Sequence, residues 1–598
     1  MTASPFILIE AFHEIQERCG FLPREELERL SRDRRLPREA LFSAATFYTN
    51  FRTDGPGARC ELRVCTSLPC RLAGAGRVLE AARAVAAAAG PELCAVREFP
   101  CLGQCDGAPA ALAGYDVIRR ARRETLGAAV SGRPLAEPAG PLVRRPHPRE
   151  ERVILAGIED GPSLAAYVAR GGYRSLARAL ARPDPDALLG TLKASVLRGM
   201  GGAAFPTGLK VELVRKAKGQ PKYVVVNADE GEPGTFKDRV ILEGVPHRLL
   251  EGAWLAAHVI SAAAVYVYVR DEYRPARAAL LRALDEVRAA PPEGIDTATL
   301  TPVHVVRGAG SYVCGEETAL LESLEGKRGE PRLKPPFPSD CGLFGKPTLI
   351  NNVETLASVP PILQAAAAAG GAGAREPPKA RTKLFSLSGA VARPGVYELP
   401  LGTPARVLIE ECGGAGPPDR AVKAFFTAGL AAGFLPAAAL DTPLDFAPIE
   451  KAGGALGCAS IIVVPEGVCI VRVVEECLAF FAHESCGKCT PCRVGTAKMT
   501  EVLRSWRRID REVNGDPTSR SSAGAADLAL LEELAPAVVD ASICGLGQFA
   551  PKPFADALRH FRAEVEAHAL RRECPEGVCF REDGAAGSTG TTGPPAYP

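Results

Sequence analysis

Charge of one sign is missing from this chain of 598 residues: 72 basic side chains meet 70 acidic ones, leaving a formal net charge of +2. No long-range field therefore singles out nucleic acid or an anionic membrane as a partner. Long uncharged apolar runs are missing as well. The nearest, residues 253–269, divides into an Ala/Leu-rich half and an alternating Val-Tyr-Val-Tyr-Val half, which predicts a buried helix feeding a strand rather than a membrane span. An apolar leader core is also lacking, because Glu10, His13 and Glu14 interrupt it. These absences place the chain in the cytoplasm.

Cysteine, by contrast, is plentiful at nineteen residues. In a reducing compartment, clustered cysteines point to metal or iron–sulfur ligation rather than disulfides. Cys65 and Cys70, spaced C-x4-C, follow a strand-like run, and Cys101 and Cys105, spaced C-x3-C, follow another. Four thiolates gathered at loop tips suit a [2Fe-2S] cluster. Zinc is the alternative there, although its knuckles usually use C-x2-C spacing. Cys486, Cys489 and Cys492 stand at C-x2-C-x2-C after a helical run and offer three corners of a [4Fe-4S] cluster, with Cys544 as the distant fourth and zinc again the alternative. Cys574 and Cys579 form a looser pair without two more ligands nearby. The remaining cysteines read as buried small hydrophobes.

The chain is organised around residues 224–239, which open with three valines and break into Asn227, Asp229, Glu230 and Glu232 among glycines. A buried strand ending on such groups suits a polar cofactor: Asn227 can hydrogen-bond a flat heterocycle, and the carboxylates can meet hydroxyls or a nicotinamide amide. An acidic surface turn is the plainer alternative. Upstream, residues 198–210 form a glycine loop whose bare amides can approach phosphate, with Lys210 as a point charge. Residues 199–204 satisfy G-x-G-x-x-A, but a helix-like run precedes them where the ordinary dinucleotide fingerprint requires a strand. Downstream stand residues 308–318, with Tyr312, Gly315, Glu316 and Glu317, and then Asn351 and Asn352.

Together these stretches resemble the flavin- and NADH-binding subunit of respiratory complex I and its relatives, the diaphorase subunits of NAD-dependent hydrogenases and formate dehydrogenases. The N-terminal part, including Ala-Thr-Phe-Tyr at residues 45–48, resembles the thioredoxin-like [2Fe-2S] subunit of the same assemblies, here fused to the flavoprotein. The fusion leans towards the hydrogenase and formate dehydrogenase relatives.

The resemblance implies FMN and NAD as cofactors. Gly199, Gly201, Gly202 and Lys210 would hold FMN phosphate and ribityl groups, and Asn227, Asn351 and Asn352 the flavin. Asp229, Glu230, Tyr312, Gly315 and Glu316 would line the same site. Glu232 and Glu317 would meet the ribose or nicotinamide of the reacting nucleotide, and Phe205 would stack on adenine. Two positions depart from the pattern, Leu213 where a second aromatic is common and Met200 where arginine is common, so adenine binding is expected to be weaker or differently arranged.

At this length about three to five domains are expected. The fold expected is multidomain α/β: a helical lead-in with a thioredoxin-like [2Fe-2S] domain (1–131), a Pro-rich linker (132–149), a Rossmann-like FMN and NADH domain (150–375), a small β-grasp-like module acting as a spacer (376–465), a helical [4Fe-4S] bundle (466–573) and a C-terminal tail (574–598), expected to be disordered from 584 onwards. A nicotinamide surrenders two electrons as hydride whereas a cluster accepts one, so a flavin must divide the pair. The expected activity is that of an NADH:acceptor oxidoreductase, or diaphorase, inside a multisubunit formate dehydrogenase, hydrogenase or complex I-like assembly. The competing expectation is an iron–sulfur electron-transfer or scaffold subunit without nucleotide chemistry.

Overall fold

The computed structural model describes residues 7–134, 146–182, 184–370, 379–414, 421–507 and 517–579. Most of the expected linker, and the tail beyond Cys579, lie outside the described residues. The first sheet has the order β2-β1-β3-β4, built from β1 (Cys60–Cys65), β2 (Cys94–Phe99), β3 (Ala111–Ala113) and β4 (Asp116–Ile118). β1 and β2 run parallel, and β3 is antiparallel to β1. The four N-terminal cysteines follow the ends of β1 and β2.

The second sheet is fully parallel, with β5 (Lys222–Ala228), β6 (Ala262–Val269), β7 (Val303–Arg307) and β8 (Thr348–Asn352) in the order β7-β6-β5-β8. Parallel strands are covered on both faces, which is why they read as nearly continuous apolar runs. Val224, Val226, Val265 and Val267 pack into one core beneath the helices Pro246–Ile260 and Arg274–Ala289. Val225, Tyr266, Tyr268 and Val306 pack into another. The helix Pro246–Ile260 starts with proline in its first turn, ends at Ser261 in the left-handed region, and feeds β6 directly, as residues 253–269 predict.

The second core is closed by the N-terminal helices. Phe12 and Ile15 of the helix Leu8–Cys19, and Leu41 and Ala44 of the helix Arg38–Phe47, pack against Val225 and Tyr268. Gly20, at φ 80°, ends the first helix and returns its N–H to the Gln16 carbonyl. This lead-in, expected to form one unit with the thioredoxin-like sheet, thus also reaches the second sheet. Its apolar stripe buries itself on the parallel sheet, where it replaces the helix layer that face would otherwise lack.

The third sheet, β10-β9-β13-β11-β12, contains β9 (Thr382–Gly389), β10 (Gly395–Pro400), β11 (Val422–Phe426), β12 (Phe434–Pro436) and β13 (Ser460–Pro465). From β13 the chain enters the helix Ile470–Glu484, followed by the helices Thr490–Arg507, Pro517–Ala541, Gly545–Phe549 and Lys552–Glu566. Among the described residues no helix is long and apolar enough to cross a membrane.

Candidate functional site

The parallel sheet changes winding direction between β5 and β8, and ligands of such sheets sit beyond the strand ends at that switch. Asn227 and Asn352 end the two strands in direct register, with Asn351 opposite Val226. Asn227 donates to the Gly315 carbonyl at 2.9 Å and accepts from the Asp229 N–H at 3.1 Å. Asn352 caps the helix Val353–Ala357 and donates to Asp238 at 2.6 Å. Asn351 keeps a buried amide nitrogen with no hydrogen-bond partner, as does one carboxyl oxygen of Asp229. Orphaned buried groups of this kind are costly, and a polar ligand satisfies them.

The glycine loop folds over the same crevice. The Gly199 N–H reaches the Phe205 carbonyl at 2.8 Å, and a Cβ on Gly201 would stand 2.8 Å from Cβ of Asn352, so only a bare glycine lets the loop lie on the strand end. Gly202, at φ 152°, has open space where its Cβ would be. Phe205 and Leu213 are 43% and 46% exposed. Lys210 pairs with Glu317 at 3.0 Å, and Lys334 reaches Glu317 at 2.8 Å. Burial works against ionisation of Glu317, but the two lysines outweigh it and hold the carboxyl at about 2.

The other carboxylates are set differently. Burial raises Asp229 to about 8. Burial also raises Glu232 to about 7, against hydrogen bonds from Tyr312 Oη at 2.5 Å, from the Ala431 N–H at 3.1 Å and from Leu430. Glu230 accepts from the Asp238 and Arg239 N–H groups at 2.9 and 3.1 Å and from Tyr273 Oη. Both of its oxygens are thus taken, and it holds the loop instead of facing a ligand. Glu316 caps the helix Glu317–Leu324 through the Thr318 and Ala319 N–H groups.

The two cysteine quartets flank this crevice. Cys65, Cys70, Cys101 and Cys105 are all buried, and Cys65 lies within electrostatic reach of Cys70, Cys101 and Cys105, as Cys101 does of Cys105. The Gly234 N–H points to Cys105, and Arg270 donates to the carbonyls of Cys101 and Glu230. On the other side Cys486, Cys489, Cys492 and Cys544 lie within each other's electrostatic reach, and burial raises Cys492 and Cys544 to about 11. A thiol so raised is released to thiolate by a metal, which supplies the missing countercharge. Glu316 is charge-coupled to Cys544, and the Tyr312 N–H donates to Glu484, two residues before Cys486. A small cleft lined by Thr49, Cys101, Asp229, Tyr312, Phe480 and Glu484 runs from the first quartet towards the segment that precedes the second.

Sequence reasoning missed several contributors. Lys237, fully buried, pairs with Asp238 at 2.7 Å and Glu354 at 2.9 Å. The Lys-Asp-Arg run at 237–239, set in an otherwise buried helix, is the signal that could have found it. Lys383 on β9 is also fully buried, 3.3 Å from the Met200 sulfur, so a cation from the third sheet stands beside the position where arginine is common in the resembling family. With Leu430 and Ala431 gripping Glu232, this corrects the spacer role expected for that module. The C-terminal pair is corrected too, because Cys469 and His568 join Cys574 and Cys579.

Comparison with known proteins agrees with this layout. Residues 3–132 match the thioredoxin-like [2Fe-2S] ferredoxin family, 192–361 the Nuo51 FMN-binding domain, 384–427 the SLBB domain and 472–568 the NADH-ubiquinone oxidoreductase-F iron-sulfur binding region. The F 2 subunit of the NADH-quinone oxidoreductase of Rhizobium meliloti (strain 1021) is 46% identical over 431 residues, 71% of this chain and 99% of that protein. The NADP-reducing hydrogenase subunit HndC of Solidesulfovibrio fructosivorans is 39% identical over 427 residues, 71% of this chain and 84% of its own. In the crystal structure of an NAD+-reducing [NiFe]-hydrogenase in the H2-reduced state, one chain superposes with a TM-score of 0.77 at 32% identity, covering 94% of this chain and 93% of that one.

Proposed function

The chain belongs to the family of NADH-quinone oxidoreductase F subunits, and from that premise we propose that it is the NADH-oxidising diaphorase module of a larger redox complex, carrying FMN, one [2Fe-2S] and one [4Fe-4S] cluster. One observation carries the reading: the loop 227–239 and the turn 308–317 that form the crevice lie between the two cysteine quartets, with Arg270 donating to the carbonyls of both Glu230 and Cys101 on one side and the Tyr312 N–H donating to Glu484, just before Cys486, on the other. Bound flavin accepts hydride from a nicotinamide and releases electrons singly, which is the division the clusters need. The orphaned Asn351 nitrogen and the bare amides of the glycine loop fit such a group.

In this reading Gly199, Gly201, Gly202 and Lys210 hold the FMN phosphate end. Asn227, Asn351 and Asn352 hold the ring, with Tyr312 and Gly315 on the facing turn. Phe205 offers its exposed face to adenine. Glu317 accepts from ribose hydroxyls, and Asp229 and Glu232 border the nicotinamide, Asp229 largely protonated near neutrality and Glu232 at the midpoint of its titration, so that less fixed charge faces the reacting ring than two free carboxylates would place there. Glu230 and Glu316 position these groups through the helices they cap. No side-chain acid or base is needed for hydride transfer itself.

The proposed working units are the six stretches set out from the sequence, with the helices of residues 8–47 joined to the flavin unit. A cytoplasmic setting is part of the proposal. In sequence the relatives from both kinds of assembly align with about 70% of this chain, and in structure the hydrogenase chain superposes along 94% of it. That favours a hydrogenase-like or formate dehydrogenase-like partner over a quinone-reducing one.

Anaerobically purified protein is expected to carry about one FMN and about six iron atoms, and to reduce artificial acceptors with NADH while showing no formate, hydrogen or quinone activity of its own. Absence of flavin fluorescence after denaturation, together with no NADH-dependent bleaching, would leave the scaffold reading standing instead. Co-purification from the native host identifies the partner subunits.

A further inference from the structure

Cys574 and Cys579 gain two partners, His568 just upstream of them and Cys469, which lies far back in the sequence. Cys469 stands at the N-terminus of the helix Ile470–Glu484, and His568 lies in the turn Ala567–Arg571 that closes the last helix. The Cys469 sulfur is 3.3 Å from His568 Nε2 and 3.4 Å from the Cys579 sulfur, and the ligand atoms of all four residues lie within 4.8 Å of one another. We propose that Cys469, His568, Cys574 and Cys579 bind a single zinc ion that clamps the C-terminal segment to the base of the cluster-bearing helix.

Size and ligand chemistry argue for one ion rather than a third cluster. Ligands about 2.3 Å from a tetrahedral zinc stand roughly 3.8 Å apart, inside the spread observed. An iron–sulfur cluster interposes at least two metal atoms and spreads its ligands further. Three sulfurs and one imidazole complete a tetrahedron with no position open to water or substrate, the pattern of a structural site. The imidazole of His568 is already oriented for ligation. Its Nδ1 lies 2.8 Å from the Glu564 carbonyl, so Nδ1 donates there and Nε2 is left as the lone-pair ligand.

The frame around the four residues is built independently of the ion. Lys423 bonds the Val468 carbonyl at 2.8 Å, Glu564 at 2.8 Å and Glu576 at 2.7 Å, tying together the three segments that carry the ligands. The helix that begins after Cys469 runs fifteen residues, about 22 Å, before the chain reaches Cys486. The ion thus fixes one end of the element whose other end presents the [4Fe-4S] ligands, and zinc, having no redox chemistry, leaves the electron route unaltered.

Metal analysis of the intact holoprotein, grown with zinc supplied, tests this. One zinc per chain is expected beside the iron. Cys574→Ser and Cys579→Ser should lose the zinc while iron and FMN are retained. Zinc-edge X-ray absorption should show three sulfurs at about 2.3 Å and one nitrogen at about 2.0 Å. His568→Cys should keep the zinc with four sulfurs, which gives a reading even if the serine variants fold poorly. The proposal is overturned if the wild type carries no zinc, if zinc survives both serine substitutions, if iron rises above six and falls in Cys579→Ser, or if non-reducing mass spectrometry finds these cysteines paired as a disulfide.

Discussion

Glu317 sits between Lys210 and Lys334 at the mouth of the crevice, ionised at any ordinary pH. A carboxylate at a ribose accepts bonds from free hydroxyls and repels a 2′-phosphate, so NADH is expected to be strongly preferred over NADPH. Glu317→Gln keeps the size, removes the charge and frees two lysines for a phosphate. The ratio of NADPH to NADH activity should rise by roughly fivefold, the worth of about 1 kcal/mol at a partly exposed pair, and most at low salt. An unmoved ratio with FMN still bound would sink the placement of this carboxylate. Glu317 was singled out through the family resemblance of its stretch, and the eight patterned cysteines through their spacing. Cys469 was not: it belongs to no local pattern, and only tertiary packing brings it to His568 and Cys579. Lys383 escaped for a related reason, since its neighbours Met200 and Glu354 lie far away in sequence, whereas Lys237 carried a local sign in the adjacent Asp238.

At the scale of elements, the loop after β5 joins three parts of the molecule through Glu232. Runs rich in valine made β5 and β6 readable, but the grip on Glu232 comes partly from the backbone amides of Leu430 and Ala431, and amides leave no mark in a sequence. The raised pKa has a consequence for stability. An unfolded glutamate titrates near about 4.3, whereas in the fold Glu232 titrates at about 7 because burial penalises its charge. Between those values the native state binds more proton than the unfolded one, so this residue makes stability fall as pH rises through the window, by at most about 1.4 kcal/mol per pH unit. Glu232→Gln removes that loss. In thermal unfolding of the flavin-free protein, the melting temperature of the variant minus that of the wild type should be larger at pH 7.5 than at pH 5. A difference that ignores pH would mean the carboxyl is better solvated than its surroundings imply.

Across the whole molecule, the N-terminal part is bound to the flavin unit by two separate means. Its helices complete the core of the parallel sheet, and its cluster loop lies against the loop after β5. The second contact turns on one buried charge pair, Arg239 with Asp106 at 2.7 Å, their side chains 0% and 2% exposed. Glu243 stands at 3.6 Å, and two of the guanidinium nitrogens have no hydrogen-bond partner, so Asp106 is the carboxylate that matters most to this cation. Removing one member of a buried pair strands the other without solvent or countercharge, at a cost of about 3–5 kcal/mol. Asp106→Ala should therefore lower the melting temperature clearly and loosen the seat of the residue next to it, Cys105, so that iron falls from about six towards four while FMN remains. Asp106→Asn keeps an acceptor for Arg239 and should lose less on both measures. Should Asp106→Ala melt like the wild type with all its iron, Glu243 has taken over the guanidinium, and the docking of the [2Fe-2S] part rests on its apolar contacts alone.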